Sequence, residues 1–259
     1  MDAGDRRAPR NQEGLLRENE RLDDLQRSGL SIIQDPDGNR FSTDAVLLSS
    51  FCKARRKDRA VDLGTGTGIL PLLIWAKWKP ESITGLELDQ RTADMAARSV
   101  RLNGLENIIE IIHGDIRELP PKMRRAWYTL VVSNPPYVRA DGGTKSKSDA
   151  RSLARHEIGC TFDDVAKAAF ELLAPAGRFA LVHRPDRLVD VLSGLRTNGL
   201  EPKLMRTVHT KGGDPPVLVL ISAVKGAESG LKVGPPLVIY AEDGKYTEET
   251  QGRFFYFPQ

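Results

Sequence analysis

Val61-Asp62-Leu63-Gly64-Thr65-Gly66-Thr67-Gly68 carries a buried apolar run straight into three alternating glycines, and that junction decides the fold. Glycines at this spacing let a chain leave a strand, turn tightly and open a helix while its backbone stays close to a ligand. Asp62 leaves a carboxylate at the strand's end. A nicotinamide-binding loop of the form G-x-G-x-x-G would place its third glycine one residue later, and its pyrophosphate would meet Asp62 unfavourably. An ammonium group would meet it well.

Downstream of this junction, apolar runs of strand length alternate with helical periods, which predicts a mainly parallel sheet with helices on both faces. Strands are expected near 59–63, 83–88, 108–113, 128–134, 177–183, 201–209 and 216–224, and helices near 68–78, 90–103, 162–174 and 185–197. Gly199 suits a helix C-cap. The last two strands, split by Lys211-Gly212-Gly213-Asp214-Pro215, read as an antiparallel hairpin. The fold class is therefore α/β: a doubly wound, seven-stranded, mainly parallel sheet with an antiparallel C-terminal hairpin.

Residues 29–224 are expected to form this domain. Residues 1–28 read as an extension, weakly amphipathic through Leu15, Leu22 and Leu25, helical and frayed at its start. Asp35-Pro36-Asp37-Gly38-Asn39 is a strong turn signal between Leu30–Gln34 and Arg40-Phe41, which predicts a small hairpin. Thr43 or Asp44 can cap a helix over 45–54. Residues 225–259, rich in Gly and Pro and ending Phe254-Phe255-Tyr256-Phe257-Pro258, read as a tail packed on the domain.

A chain of 259 residues with 40% hydrophobic and 28% charged residues has an ordinary globular composition, and a formal charge of +3 decides no partner. The distribution of charge says more. Between Arg117 and Arg155 nine Lys/Arg face three acids, which fits either a solvated loop or a polyanion-binding rim. Cys52 and Cys160 lack metal-ligand spacing and read as small buried hydrophobes in a reducing compartment. With no apolar run long enough to span a bilayer and no signal peptide, a cytoplasmic protein is expected, with no membrane association and no metal.

Two further strand ends carry acids. Gly85-Leu86-Glu87-Leu88-Asp89 lies about 20 residues beyond the glycine loop, where a carboxylate accepts ribose hydroxyls. His113-Gly114-Asp115-Ile116 follows the third strand, with Asp115 placed to accept from an adenine amino group and Ile116 to lie against the ring. Together these ends describe a pocket for an adenosine bearing a cationic amino-acid tail. The fourth strand ends Val131-Val132-Ser133-Asn134-Pro135-Pro136-Tyr137. Two prolines fix the backbone and hold Asn134 extended beside an aromatic ring, a rigid polar claw.

These motifs resemble class I S-adenosylmethionine-dependent methyltransferases, with Asp62, Gly64, Thr65, Gly66, Gly68, Glu87, Asp115 and Ile116 on the cofactor motifs. Asn134-Pro135-Pro136-Tyr137 resembles the signature of enzymes that methylate planar nitrogens, and both adenine N6 and a glutamine amide qualify. Such a nitrogen is a weak nucleophile because its lone pair is delocalised. Accepting its hydrogens on the Asn134 side-chain oxygen and the Pro135 carbonyl would favour a pyramidal nitrogen, with Tyr137 stacked on the substrate plane.

The segments Arg40-Phe41-Ser42-Thr43-Asp44, Ala154-Arg155-His156-Glu157 and Val182-His183-Arg184-Pro185-Asp186-Arg187-Leu188, with Pro236-Leu237, Tyr240, Asp243-Gly244 and Tyr246-Thr247, resemble, more narrowly, the bacterial family that methylates N6 of adenosine 37 in a valine tRNA. That resemblance runs from about residue 28 onward and implies a tRNA partner, carried by the basic window 117–155, and a monomer or weak homodimer. It also puts Thr43 and Asp44 among the cofactor-binding residues. One departure is Thr129, where that family commonly starts its fourth strand with an aspartate. A protein glutamine N5-methyltransferase acting on release factors is the enzymatic alternative, although a sizeable helical domain would be expected before the glycine loop. A non-catalytic RNA-binding factor on the same fold is the other.

Overall fold

The computed structural model describes residues 14–25, 28–36, 43–135 and 160–254. Strands β1 (Arg21–Asp24) and β2 (Ser31–Gln34) precede helix α1 (Thr43–Phe51). Then follow β3 (Arg59–Leu63), α2 (Ile69–Trp78), β4 (Ser82–Glu87), α3 (Gln90–Leu102), β5 (Ile109–His113) and β6 (Tyr128–Ser133). After 160 come α4 (Phe162–Leu172), β7 (Leu173–His183), α5 (Leu188–Thr197), β8 (Leu200–His209) and β9 (Pro216–Lys225). Two short strands, β10 (Lys232–Val233) and β11 (Leu237–Val238), close the described chain with a π-helical turn at Thr250–Phe254.

The main sheet has the order β10-β8-β9-β7-β6-β3-β4-β5, with β11 also paired to β8. Strands β5, β4, β3, β6 and β7 are mutually parallel, and β9 runs antiparallel between β7 and β8. The seven expected strands are all present, and two more add to the outer edge of β8 in parallel register. Alternate residues go to opposite faces. Leu130, Val132, Ala180 and Val182 join the core beneath α1 and α2, whereas Val131, Phe179 and Leu181 join the core beneath α4 and α5. Both faces of the central strands are thus covered, which is why they read as continuous apolar runs rather than alternating ones.

Three expectations need correction. Residues 21–24 are not helical: β1 pairs antiparallel with β2, Leu22 opposite Ile33. The reversal is made at Ser28 and Gly29, both at positive φ (50° and 66°), so Ser31–Gln34 finds its partner upstream; Arg40 and Phe41 lie outside the described residues. The resulting ribbon docks on α3, where the Ser99 hydroxyl accepts from the Ile33 N–H (3.0 Å) and the Asn103 amide brackets Ser31 (3.0 and 2.7 Å).

The second correction concerns α4 and β7. The helix stops at Leu172 and the strand begins at once, four residues before its expected start. Residues between Leu173 and Arg178 leave the β6 register as a bulge with Ala176 at φ 58°, so Pro175 and Gly177 mark an irregularity inside the strand. Third, Cys52 is buried but Cys160 only partly so; burial pushes their thiols up to about 12 and about 11. Gly199, at φ 72°, donates to the Arg196 carbonyl (3.0 Å) just past α5, as a C-terminal glycine should.

Candidate active site

In a doubly wound sheet the crevice for a ligand opens outside the carboxyl ends of the strands, where the strand order reverses. Here that point lies between β3 and β6, with Asp62 in register with Gly85 on β4 and Val132 on β6. Gly64, Gly66 and Gly68 have φ of 75°, 57° and 84°, a region costly for any side chain. A Cβ at Gly64 or Gly66 would point into open space, whereas one at Gly68 would stand 3.2 Å from the Ala96 Cβ. The first two therefore leave the backbone bare for close approach, and the third lets α2 pack on α3.

The loop is anchored from β4. The Gly64 and Thr65 N–H groups both donate to the Leu86 carbonyl at 3.0 Å, and the Gly66 N–H donates to Glu87 Oε2 at 2.8 Å. Glu87 Oε1 accepts from the Asp89 N–H at 3.0 Å. Each oxygen of this 3% exposed carboxylate thus holds a backbone N–H. Asp89 in turn caps α3, accepting from the Thr92 N–H at 2.8 Å.

Beneath the loop, Asp62 is 1% and Thr65 3% exposed. Among the described residues neither Asp62 Oδ1 nor Thr65 Oγ1 has a hydrogen-bond partner, an expensive condition for buried polar atoms. Burial pushes the Asp62 carboxyl up to about 7, and the Glu87 charge adds to the rise. At the third strand end, Asp115 accepts from the Arg117 N–H (2.8 Å) and pairs with its guanidinium (2.6 Å). The Arg117 side chain holds this carboxyl below the usual range. Ile116 is partly buried against the core under α4.

Asn134 follows β6 directly and is partly exposed; Pro135 is buried. Pro136 and Tyr137 lie outside the described residues. The Ser133 hydroxyl donates to the Leu63 carbonyl at 2.9 Å, which ties the residue before Asn134 to the residue before the glycine loop. Two sequence segments some 70 residues apart are brought to one edge. Residues 41–187, more than half of the chain, match the methyltransferase small domain family.

The chain belongs to that family.

Among curated relatives of this methyltransferase, two proteins named tRNA1(Val) (adenine(37)-N6)-methyltransferase are representative. The Bacteroides fragilis protein is 32% identical over 71% of this chain and 76% of its own length. The Dickeya chrysanthemi protein is 30% identical over 84% and 87%. A crystal structure of a predicted O-methyltransferase from Agrobacterium tumefaciens superposes with a TM-score of 0.65 at 24% identity, covering 82% of this chain and 95% of that one; at that identity the likeness concerns the fold.

Thr43 and Asp44 stand in the first turn of α1, which packs on α2, the helix that the glycine loop opens. Thr129 accepts from the Arg59 N–H (3.1 Å) and donates to Asp58 (2.8 Å), which joins the start of β6 to the residue before β3. His183 is buried at the end of β7, its ring edge-on to Phe162, with Nδ1 accepting from the Arg184 N–H. Burial holds its pKa below the usual histidine range. The sequence pointed to Asn134 but passed over Ser133; a hydroxyl closing an otherwise apolar strand was the available signal.

The part of the basic window that precedes β6 needs correction. Arg117 is paired with Asp115, and Lys122 to Arg125 precede β6, whose six residues carry the chain ~20 Å before Asn134. Lys122, Arg124 and Arg125 thus sit toward the opposite end of the sheet from the claw, whereas Arg117 stays at the carboxyl end beside Asp115. The remaining members, Arg139, Lys145, Lys147, Arg151 and Arg155, lie outside the described residues, as do His156 and Glu157. Among the described residues no cluster of His, Cys, Asp and Glu is arranged to hold a metal, and no helix is long and apolar enough to cross a membrane.

Proposed function

We propose that the protein transfers a methyl group from S-adenosylmethionine to the exocyclic N6 amine of an adenosine in tRNA, at position 37 of a valine tRNA. The observation that carries this reading is Asn134, fixed at the edge of the glycine-loop crevice by the Ser133–Leu63 hydrogen bond. The names of the curated relatives support the same activity.

The cofactor fits the residues present. Bare backbone at Gly64 and Gly66, together with the unpartnered Asp62 and Thr65 oxygens, suits a ligand with a cationic amino-acid tail. Asp62, Gly64, Thr65, Gly66, Gly68 and Glu87 would hold it, with Asp115 and Ile116 toward the adenine and Thr43 and Asp44 on the α1 side. When bound, S-adenosylmethionine supplies a methyl group on a positively charged sulfur. The chain's own part is to orient the acceptor. The Asn134 side-chain oxygen and the Pro135 carbonyl take the two amine hydrogens, which withdraws the lone pair from the ring and aims it, and Tyr137 supports the base by stacking. The methylated amine is acidic and sheds its proton to water, so none of the histidines is needed as a base.

The deciding experiment is incubation of the protein with labelled S-adenosylmethionine and total bacterial tRNA, followed by nucleoside analysis. N6-methyladenosine at position 37 of the valine species is expected. Label in protein in place of RNA would move the assignment to glutamine methylation.

A further inference from the structure

The parallel strands all start at one end of the sheet, so the segments leading into β3 and β6 are neighbours there. Arg59 donates twice to the Trp127 carbonyl (3.1 and 3.0 Å), and its guanidinium stands 4.1 Å from the Trp127 ring centroid. The Arg124 guanidinium stands 3.5 Å from the same ring. One indole therefore has two guanidinium groups within cation–π distance, Arg59 spending its Nε and Nη2 donors on the Trp127 carbonyl. Just before β3, Arg55, Arg56 and Lys57 are exposed and make no ion pair among the described residues. The acid beside them, Asp58, is already taken by Arg178 at 2.7 Å.

A groove of about 550 Å³ continues along β5 from this point, with Arg124, Trp127 and Arg101 in its lining. Two carboxylates also line it: Glu110, which is paired with Lys122, and Glu106. A concentration of unpaired like charge costs self-repulsion that a polyanion relieves, and arginine forks interleaved with an aromatic suit phosphate backbones.

We propose that this end of the sheet, presenting Arg55, Arg56, Lys57 and the Arg59–Trp127–Arg124 stack, is a second RNA contact that binds phosphates of the substrate remote from the target base. The six residues of β6 put the stack ~20 Å from Asn134, so it cannot touch the base being modified and can engage only an RNA large enough to run along the flank of the domain. The proposal rests on the reading of the protein as a tRNA methyltransferase.

The test compares the full chain with a variant carrying Arg55→Gln, Arg56→Gln and Lys57→Gln, and with Arg124→Gln separately, by titration of unmodified tRNA over a range of salt. The triple variant is expected to bind at least tenfold more weakly near physiological salt. Its slope of log affinity against log salt should be shallower by about 2–3, since each lost phosphate contact removes ~0.9. KM for tRNA should rise while kcat at saturating tRNA and the cofactor-induced thermal shift stay unchanged. Arg124→Gln should also weaken binding. An unchanged salt slope in both variants overturns the proposal. So does equal loss of binding to phosphatidylglycerol vesicles or to polyglutamate with tRNA binding intact, which would assign the surface to a membrane or an acidic protein. Binding needs no turnover, so failure to methylate tRNA would remove the proposed function alone, whereas methylation with unaltered binding in the variants would remove the surface alone.

Discussion

Ser133 donates its hydroxyl to the Leu63 carbonyl at 2.9 Å, and through that bond the residue before Asn134 is locked to the residue before Gly64. Both groups are fully buried. Loss of one buried hydrogen bond costs ~1–2 kcal/mol, and a misplaced catalytic group costs more in rate than in stability. Ser133→Ala is therefore expected to unfold ~1 kcal/mol more easily, with kcat down about tenfold and cofactor affinity near that of the wild type. Denaturant titration and steady-state kinetics would check it; kcat unchanged alongside the stability loss would reduce the bond to a structural tie.

Asn134→Ala removes an acceptor that the mechanism uses only as the amine pyramidalises. Loss of one such group costs ~10²–10³ in kcat. Cofactor affinity should change less than about twofold, because Asp62, Glu87 and the glycine loop are untouched. Isothermal titration with S-adenosylmethionine beside single-turnover methylation separates the two quantities. Full turnover in this variant would falsify the claw.

The parallel core was legible because strands buried on both faces read as unbroken apolar runs, and because Gly64 to Gly68 forbids most other continuations. The ribbon of β1 and β2 was not, since Arg21, Asp23 and Asp24 look like a solvated helix until α3, some 70 residues away, supplies Ser99 and Asn103 as partners. Strands β10 and β11 are two residues each, below any periodic signal. At the site the acids at the strand ends could be read from their spacing. Their partners could not: neither the two N–H groups on Glu87 nor the Arg117 fork on Asp115 follows from local pattern. Lys122, Arg124 and Arg125 were misplaced by treating nearness in sequence as nearness in space, although β6 between them and Asn134 puts the two at opposite ends of the sheet.

Asp62 links stability to pH. Its folded carboxyl titrates at about 7 and an unfolded one near 4, so the folded chain binds an extra proton between those values. The cost of ionising it in place grows as pH rises from about 4 to 7 and is flat above, reaching ~4 kcal/mol at most. Asp62→Asn removes that cost. At pH 8 the ligand-free variant should be more stable by ~2 kcal/mol, roughly 4–8 °C in Tm for a domain of this size, and the gap should narrow toward pH 4. The same variant should lose the stabilisation of ~2.7 kcal/mol that a ligand at 100 times its Kd confers. Scanning calorimetry at both pH values, with and without S-adenosylmethionine, decides; a variant less stable at pH 8, or one still stabilised by the cofactor, contradicts the role given to Asp62.

The N-terminal ribbon is fastened by charge. The Arg98 guanidinium meets the Glu20 carboxylate in two bonds, 2.6 and 2.7 Å, with side chains 6% and 1% exposed, and donates again to Asp94 at 2.8 Å and to the Leu15 carbonyl. Removing one partner of a buried pair leaves the other uncompensated, at ~3–5 kcal/mol, whereas replacing both by apolar groups of similar size costs much less. Because Asp94 still faces Arg98, Glu20→Ala should sit near ~3 kcal/mol, and Glu20→Leu combined with Arg98→Met should recover most of it. Arg98 holds the Glu20 carboxyl below its usual pKa, so the fastening is complete above the unfolded carboxyl's pKa and weakens as pH falls through the folded value. Limited proteolysis should accordingly cut residues 14–34 faster in Glu20→Ala at neutral pH and in the wild type at acid pH. A single variant no weaker than the double one would mean that the ribbon is held by Ile33 and Leu22 against Met95 and Leu102, with the ion pair incidental.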